Sequence, residues 1–292
     1  FTDLAFDSRR IERRSSVDSS WAHSGPLFVA VKSDTGDGHD YILDAVHKGA
    51  TGVLCQRPPA APLPAGVTCV RVPDTRQALL DWAGFVLHKY GPEVIGVTGS
   101  SGKTTTKEAI AAVLGARHTV FKNPASYSGR YGLPIALGQL TPAHRIAVLE
   151  LAVDTQNEIR DLSALTQPTV GVVTTVSQAH IQNLGSLAAI EREKSTLIRA
   201  LPGQNAGGIA ILNRDDMRVW RMRRHTLARV ISYGTHKSAD YRATEIECSE
   251  HGLRFLLHVP GDEGMTVEVE LGEPVALEDL PEEQRAEVVR PV

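Results

Sequence analysis

The sequence predicts an α/β fold: a small N-terminal α/β domain, then a central, mostly parallel sheet of the phosphate-loop type with helices on both faces and a few antiparallel strands. Three observations carry this expectation. From Glu93 to Tyr233, short strands that are apolar on both faces alternate with helical segments, as they do where helices cover both faces of a parallel sheet. A glycine turn joins the first of those strands to its helix. Beyond Gly234 the chain changes to strands separated by short polar breaks, the antiparallel habit.

Leu27–Val31 (LFVAV) lies between Gly25-Pro26 and a polar loop, which predicts a strand. Asp40 is expected to cap a helix over Tyr41–Lys48, with Ile42, Ala45 and Val46 on one face and Gly49 at its end. Strands Gly52–Cys55 and Thr68–Val72 flank the Pro/Ala-rich loop Arg57–Gly66. Asp74 then caps a helix running to Tyr90, with Leu79, Leu80, Ala83, Val86 and Leu87 at helical spacing. Gly91-Pro92 ends it and marks a domain boundary.

In the second part, strand Val94–Thr98 leads into a helix over Lys103–Leu114. Strands Ile146–Leu151, Val170–Thr175, Gly208–Leu212 and Arg229–Tyr233 follow, with an amphipathic helix at Leu187–Ala200 and a further helix at Met217–Arg224. The antiparallel set is Thr244–Cys248, Leu253–Val259 and Met265–Leu271. The expected domains are 1–91 and 92–272, followed by an acidic tail over 273–292.

Composition narrows the function. Hydrophobic residues make up 42% of the 292-residue chain and charged residues 22%, enough apolar surface to fold. The formal net charge of −3 argues against a general nucleic-acid binder. No apolar run is long enough to span a membrane and no secretory segment opens the chain, so no membrane partner is expected. Cys55, Cys69 and Cys248 are odd in number without CxxC spacing, which excludes a disulfide framework and suits a reducing cytoplasm. The chain opens on Phe1 and closes in an acidic segment, consistent with a short protein or with part of a longer one.

The strongest chemical signal is Thr98-Gly99-Ser100-Ser101-Gly102-Lys103-Thr104, between a predicted strand and a predicted helix. In that context glycines let backbone N–H groups converge on phosphate, and the helix N-terminus adds partial positive charge. Lys103 would reach the β/γ-phosphates and the Thr104 hydroxyl would bind Mg²⁺. Val97 stands where the usual motif has its first glycine. Glu150, at a strand end one parallel strand away, suits a metal carboxylate or a rim charge about equally. His180 follows the third apolar strand, where a solvated loop histidine is the plainer reading. Lys194, inside Glu191-Arg192-Glu193-Lys194, reads from spacing alone as a surface helix lysine. Asn213-Arg214-Asp215-Asp216 reads as a helix cap, with Arg218, Arg221, Arg223 and Arg224 as a solvated face beyond it.

In series these segments resemble the Mur ligases, ATP-dependent amide-forming enzymes of peptidoglycan assembly. The resemblance rests on residues 97–105, Glu150-Leu151-Ala152, Ala179-His180, Lys194 and Asn213-x-Asp215-Asp216, and extends over roughly residues 6–260. Val97 is no anomaly there, because that family's loop has no glycine at the position. Asp7-Ser8-Arg9, Gly25–Val31 and Asp37-Gly38-His39-Asp40 resemble the family's uridine-nucleotide-binding domain, and residues 99–108 resemble its D-alanyl-D-alanine-adding type.

The resemblance implies a bacterial cytoplasmic enzyme that takes a UDP-muramoyl peptide and D-alanyl-D-alanine through an acyl phosphate. It implies ATP contacts by Thr98, Gly99, Ser100, Ser101, Gly102, Lys103, Thr104, Thr105 and Asn213. It places Mg²⁺ on Thr104, Glu150, His180 and a carbamylated Lys194, makes Lys103, Lys194 and His180 catalytic, and puts the UDP-substrate on Ser8, Arg9 and His39. Gln182, Thr196 and the run Ser128-Gly129-Arg130 depart from the family pattern. The family's Gly-Arg-His-Asn-like segment and C-terminal domain have no counterpart before Val292, which implies weak nucleotide binding and little turnover by this chain alone. Two other readings stand beside it: a tripeptide-forming relative, and a nucleotide-binding relative without ligase activity.

Overall fold

A computed structural model describes residues 4–5, 25–33, 36–124, 127–153, 155–179, 181–249, 252–261 and 265–270. These form two compact units, divided in the chain between Val230 and Ile231. No helix among the described residues is long and apolar enough to cross a membrane. Ser8, Arg9, His180 and the acidic tail lie outside the described residues.

The first unit opens with a small parallel sheet of β1 (Leu4–Ala5), β2 (Leu27–Val29), β5 (Gly52–Cys55) and β6 (Thr68–Arg71) in that spatial order. A two-stranded antiparallel ribbon, β3 (Lys32–Ser33) and β4 (Gly36–Asp37), leads into a 3₁₀ turn at Gly38–Tyr41 and helix α1 (Ile42–His47). Phe28, Ala30, Ile42, Ala45, Val53 and Cys55 form its core. Asp40 does not cap α1. The preceding 3₁₀ turn pulls the start back three residues, so Asp37 accepts from the His39 N–H and α1 begins without a side-chain cap.

Helix α2 (Thr75–Tyr90) begins as expected, with the Asp74 carboxylate accepting from the Arg76 and Gln77 N–H groups, and ends at Gly91 in the left-handed region. Its apolar face does not turn back onto the small sheet. Ala83, Val86 and Leu87 join the core of the central sheet instead.

That sheet is parallel in the order β8 (Val120–Lys122), β9 (Ile146–Glu150), β7 (Glu93–Thr98), β10 (Val170–Val173) and β11 (Ile209–Asn213). One face packs Val97, Val148 and Val172 against Ala111 of α3 (Lys103–Gly115). The other packs Val94, Ala147, Leu149 and Val173 with α2, α4 (Gly132–Ala136), α5 (Glu158–Thr166) and α7 (Leu187–Ala200). Helices therefore cover both faces, as the doubly apolar strands require. Val97 is wholly buried in this core, a physical reason for a branched side chain at that position. Two further helices are short: α6 (Ile181–Leu184) and α8 (Met217–Arg221), the latter continuing as a 3₁₀ turn to His225.

The chain enters the second unit within β12 (Arg229–Gly234). There β13 (Tyr241–Ser249) pairs parallel with the end of β12, then antiparallel with β14 (Gly252–His258), which pairs antiparallel with β15 (Met265–Glu270). The antiparallel strands after Gly234 are thus present.

Candidate functional site

Strand β7 lies between β9 and β10, and the chain leaves it on one side to reach β8 and returns across it to reach β10. Such a crossover opens a crevice at the carboxyl ends of the strands. Residues Thr98–Lys103 sit at that end of β7. The turn demands its glycines: Gly99 has φ +156°, and a Cβ there would lie 1.8 Å from the Thr174 Oγ1. Gly102 has φ +76° and leads into α3.

The loop is tied to the end of β10. Ser100 donates its N–H to the Thr175 carbonyl at 2.8 Å, and Ser101 donates its N–H to the Thr175 Oγ1 at 3.2 Å. The Thr174 hydroxyl donates to the Ser101 carbonyl at 2.6 Å, and the Thr98 hydroxyl to the Leu151 carbonyl at 2.8 Å. With those N–H groups taken, the first turn of α3 remains. Among the described residues no side chain caps it, so the N–H groups of Lys103, Thr104 and Thr105 lack the partners that an interior turn supplies. This is an anion-binding helix start.

Thr104 and Glu150 meet. The Thr104 hydroxyl donates to the Glu150 Oε2 at 2.8 Å. Glu150 is only 4% exposed at the end of β9, and Asn123 holds it there. The Asn123 Oδ1 accepts from the Glu150 N–H at 2.8 Å while its Nδ2 donates to the Glu150 carbonyl at 3.3 Å. Asn123 in turn offers its own carbonyl to the buried Lys107 ammonium at 2.5 Å. Asn123 was not among the residues singled out from the sequence; a lone Asn at a strand end carries no spacing signal.

Lys194 is 1% exposed, not a surface lysine. Its Nζ donates to the Gly99 carbonyl at 2.8 Å, which brings α7 onto the phosphate-type loop. Burial, and then the nearby Lys103 charge, lower its pKa to about 7 against a smaller opposing pull from Glu193. Glu193 itself is spent on α5, accepting from the Asn157 and Ile159 N–H groups at 3.0 Å each.

Asn213 stands at the end of β11. Its Nδ2 donates to the Thr174 carbonyl at 2.9 Å and its Oδ1 accepts from the Asp215 N–H at 2.9 Å. Asp216 caps α8 and also accepts from the Val176 N–H at 2.7 Å, fixing the segment that follows β10. Arg218 is not solvated alone; it pairs with Glu191 at 2.8 Å. His39 lies far from this loop in the chain and both its ring nitrogens are engaged: Nδ1 with the Asp37 carboxylate at 2.6 Å, Nε2 accepting from the Gln56 N–H at 2.8 Å.

The structure thus brings together Thr98–Thr105, Glu150, Lys194 and Asn213 at one end of one sheet. Among the described residues no group of three His, Cys, Asp or Glu side chains could hold a metal. The oxygen pair Thr104–Glu150 is nevertheless a donor set suited to a hard divalent cation completed by phosphate and water.

The family described as Mur ligase middle domain matches residues 97–272. A UDP-N-acetylmuramoyl-tripeptide--D-alanyl-D-alanine ligase of Bacillus subtilis is 32% identical over 254 residues, covering 87% of this chain and 52% of that protein. The Escherichia coli protein of the same name is 33% identical over 248 residues, covering 81% and 51%. Among solved structures, MurF from Acinetobacter baumannii superposes with a TM-score of 0.77 at 29% identity, covering 92% of this chain and 55% of that one. MurF from Thermotoga maritima in complex with ADP gives 0.73 at 26% identity, covering 92% and 58%. The chain spans about half the length of the curated relatives it matches.

Proposed function

Because the chain belongs to the Mur ligase family, we propose that it carries the nucleotide-handling part of an enzyme that adds D-alanyl-D-alanine to a UDP-muramoyl tripeptide with ATP. The observation that carries the reading is the contact of Thr104 with Glu150 beside an uncapped helix start at the glycine loop. The reaction brings together two anions, a substrate carboxylate and the ATP γ-phosphate, so charge neutralisation is its main requirement. Attack of the carboxylate oxygen on the γ-phosphorus forms an acyl phosphate and releases ADP. Attack of the dipeptide amine on the acyl carbon then releases phosphate, and the amine loses its proton.

This chain's residues serve that chemistry as follows. The N–H groups of Lys103–Thr105 and the Lys103 ammonium hold the β- and γ-phosphates, while Thr98–Gly102 keep the loop open toward them. Thr104 and Glu150 would hold a Mg²⁺ ion, with His180 and Lys194 serving a second. Bound Mg²⁺ supplies positive charge to phosphate oxygens. Lys194 suits carbamylation because an amine with pKa near 7 is substantially neutral at cytoplasmic pH. Its lone pair adds to CO₂, the N–C bond forms and one proton leaves. Asn213 contacts the adenine, and Ser8 and Arg9 the uridine diphosphate. His39, with both nitrogens engaged, shapes that region rather than offering a free one. The domains of this account are 1–91 for the UDP-substrate and 92–272 for ATP, in the bacterial cytoplasm.

The test is calorimetric titration of the chain with Mg²⁺-ATP. Lys103→Ala is expected to weaken binding at least about tenfold, equivalent to about 1.4 kcal/mol. Equal affinity in the variant would remove Lys103 from the phosphate site.

A further inference from the structure

Lys107 carries a buried ammonium that the reaction described above does not use. It lies one turn beyond Thr104 on α3 and is wholly buried, so it presents no atom to a ligand in the crevice. We propose that Lys107 is a positioning residue for the divalent cation. Acting through Asn123, it fixes the gap between the Thr104 hydroxyl and the Glu150 carboxylate and makes the site prefer Mg²⁺ over larger cations. The proposal rests on the ligase reading above, which puts Mg²⁺ on that oxygen pair.

Four residues close a ring. The Thr104 hydroxyl donates to the Glu150 Oε2 at 2.8 Å. The Asn123 amide grips the Glu150 backbone, its Oδ1 accepting from the N–H at 2.8 Å and its Nδ2 donating to the carbonyl at 3.3 Å. The Asn123 carbonyl accepts from the Lys107 Nζ at 2.5 Å, and one turn of α3 returns from Lys107 to Thr104. The helix therefore holds Glu150 twice: at its carboxylate through Thr104, and at its backbone through Lys107 and Asn123. Lys107, Asn123 and Glu150 are all buried, so this second path is packed in place. Glu108 pairs with Lys107 at 3.1 Å and is shared with Lys122. That pairing offsets the cost of a buried charge but is no part of the ring.

Cation size decides what such a ring does. Mg²⁺ takes a near-ideal octahedron of oxygens at about 2.0–2.1 Å, which sets neighbouring ligand oxygens roughly 2.9 Å apart. At the longer bonds of Ca²⁺, about 2.3–2.6 Å, the same octahedral edge opens to roughly 3.5 Å. The Thr104 and Glu150 oxygens stand 2.8 Å apart, the spacing of the smaller ion. A pair free to separate would serve either ion equally. A pair held from two points on one helix resists opening, and the resistance falls on the larger ion. Residues that orient a metal's ligands without touching the metal commonly contribute tenfold or more to its affinity.

The experiment is calorimetric titration of the chain with ADP in Mg²⁺ and, separately, in Ca²⁺, with urea unfolding to establish that each variant is folded. Lys107→Met keeps the length of the side chain and removes the donor. It is expected to weaken ADP binding about tenfold in Mg²⁺ and less than about threefold in Ca²⁺, so that the preference for Mg²⁺ falls. Lys107→Gln, which keeps a donor, is expected to give an intermediate preference, and it decides the question if Lys107→Met does not fold. Glu108→Gln leaves the ring intact and is expected to keep the wild-type preference. Equal losses in the two cations, or no loss in either, in a folded Lys107 variant overturn the proposal and leave the ligase reading standing. Absence of cation-dependent ADP binding by the folded wild-type chain overturns the proposal and strikes that reading with it.

Discussion

Lys194 is the residue on which sequence spacing and structure differ most. Helix α7 buries Ile190, Glu193, Lys194, Leu197 and Ile198, which is the i, i+3, i+4, i+7, i+8 stripe of a core-facing helix. The run of alternating charge suggests a solvated face, yet the flanking apolar residues place two of its four charges inward. The stripe was therefore legible in the sequence, and the charges masked it. Burial with a lowered pKa has a thermodynamic consequence. Between about pH 7 and the ordinary lysine value the unfolded chain binds more protons than the folded one, so this group makes stability rise with pH, by at most about 1.4 kcal/mol per unit. Below pH 7 both states are protonated and the burial cost is fully present. Denaturant unfolding in CO₂-free buffer is expected to show wild type gaining stability from pH 7 to 9 relative to Lys194→Met; parallel curves would contradict the shift.

Asn123 is the other residue-scale finding. Its amide matches the backbone of Glu150 bond for bond, so Asn123→Leu strands a buried N–H. The expected loss is about 1–3 kcal/mol in urea unfolding, with weaker Mg²⁺-ATP binding because the carboxylate is no longer held. A variant with unchanged stability and affinity would show that β9 alone positions Glu150.

At the scale of elements, the site is assembled by strand ends and one helix face. Glu193 joins α7 to α5 by accepting two N–H groups at the start of α5, where the N-cap residue Asn157 makes no side-chain cap of its own. Glu193→Ala is expected to cost about 1–2 kcal/mol, read as a lower urea midpoint with the same slope. Glu193→Gln, which keeps an acceptor, is expected to lose less; equal losses would mean that packing rather than capping matters there. The central strands, α2 with its Asp74 cap and α7 were all legible, because long apolar periods and caps are local signals. The start of α1 was not, because Asp37, Asp40 and the intervening glycine offer two capping geometries and the 3₁₀ turn selects the earlier one. The ribbon β3–β4 and strand β8 are two or three residues long, too short for a period to show.

For the molecule as a whole, the sequence shows which residues share chemistry and the fold shows why they can. Residues 98–105, 150, 194 and 213 are dispersed over more than a hundred positions, and the order of β9, β7, β10 and β11 gathers them at one sheet end. The distribution of core residues was less legible: Ala83, Val86 and Leu87 precede the Gly91-Pro92 break yet belong to the central core. Spacing tells that a helix has an apolar face, not which sheet receives it. The most direct measurement is phosphate release by the product of the whole gene, given ATP, Mg²⁺, a UDP-muramoyl tripeptide and D-alanyl-D-alanine, with the peptide product followed by mass. The account predicts one phosphate per UDP-muramoyl pentapeptide formed, dependent on both substrates and lost in Lys103→Ala. Phosphate release indifferent to either substrate, or none above Lys103→Ala, would contradict it.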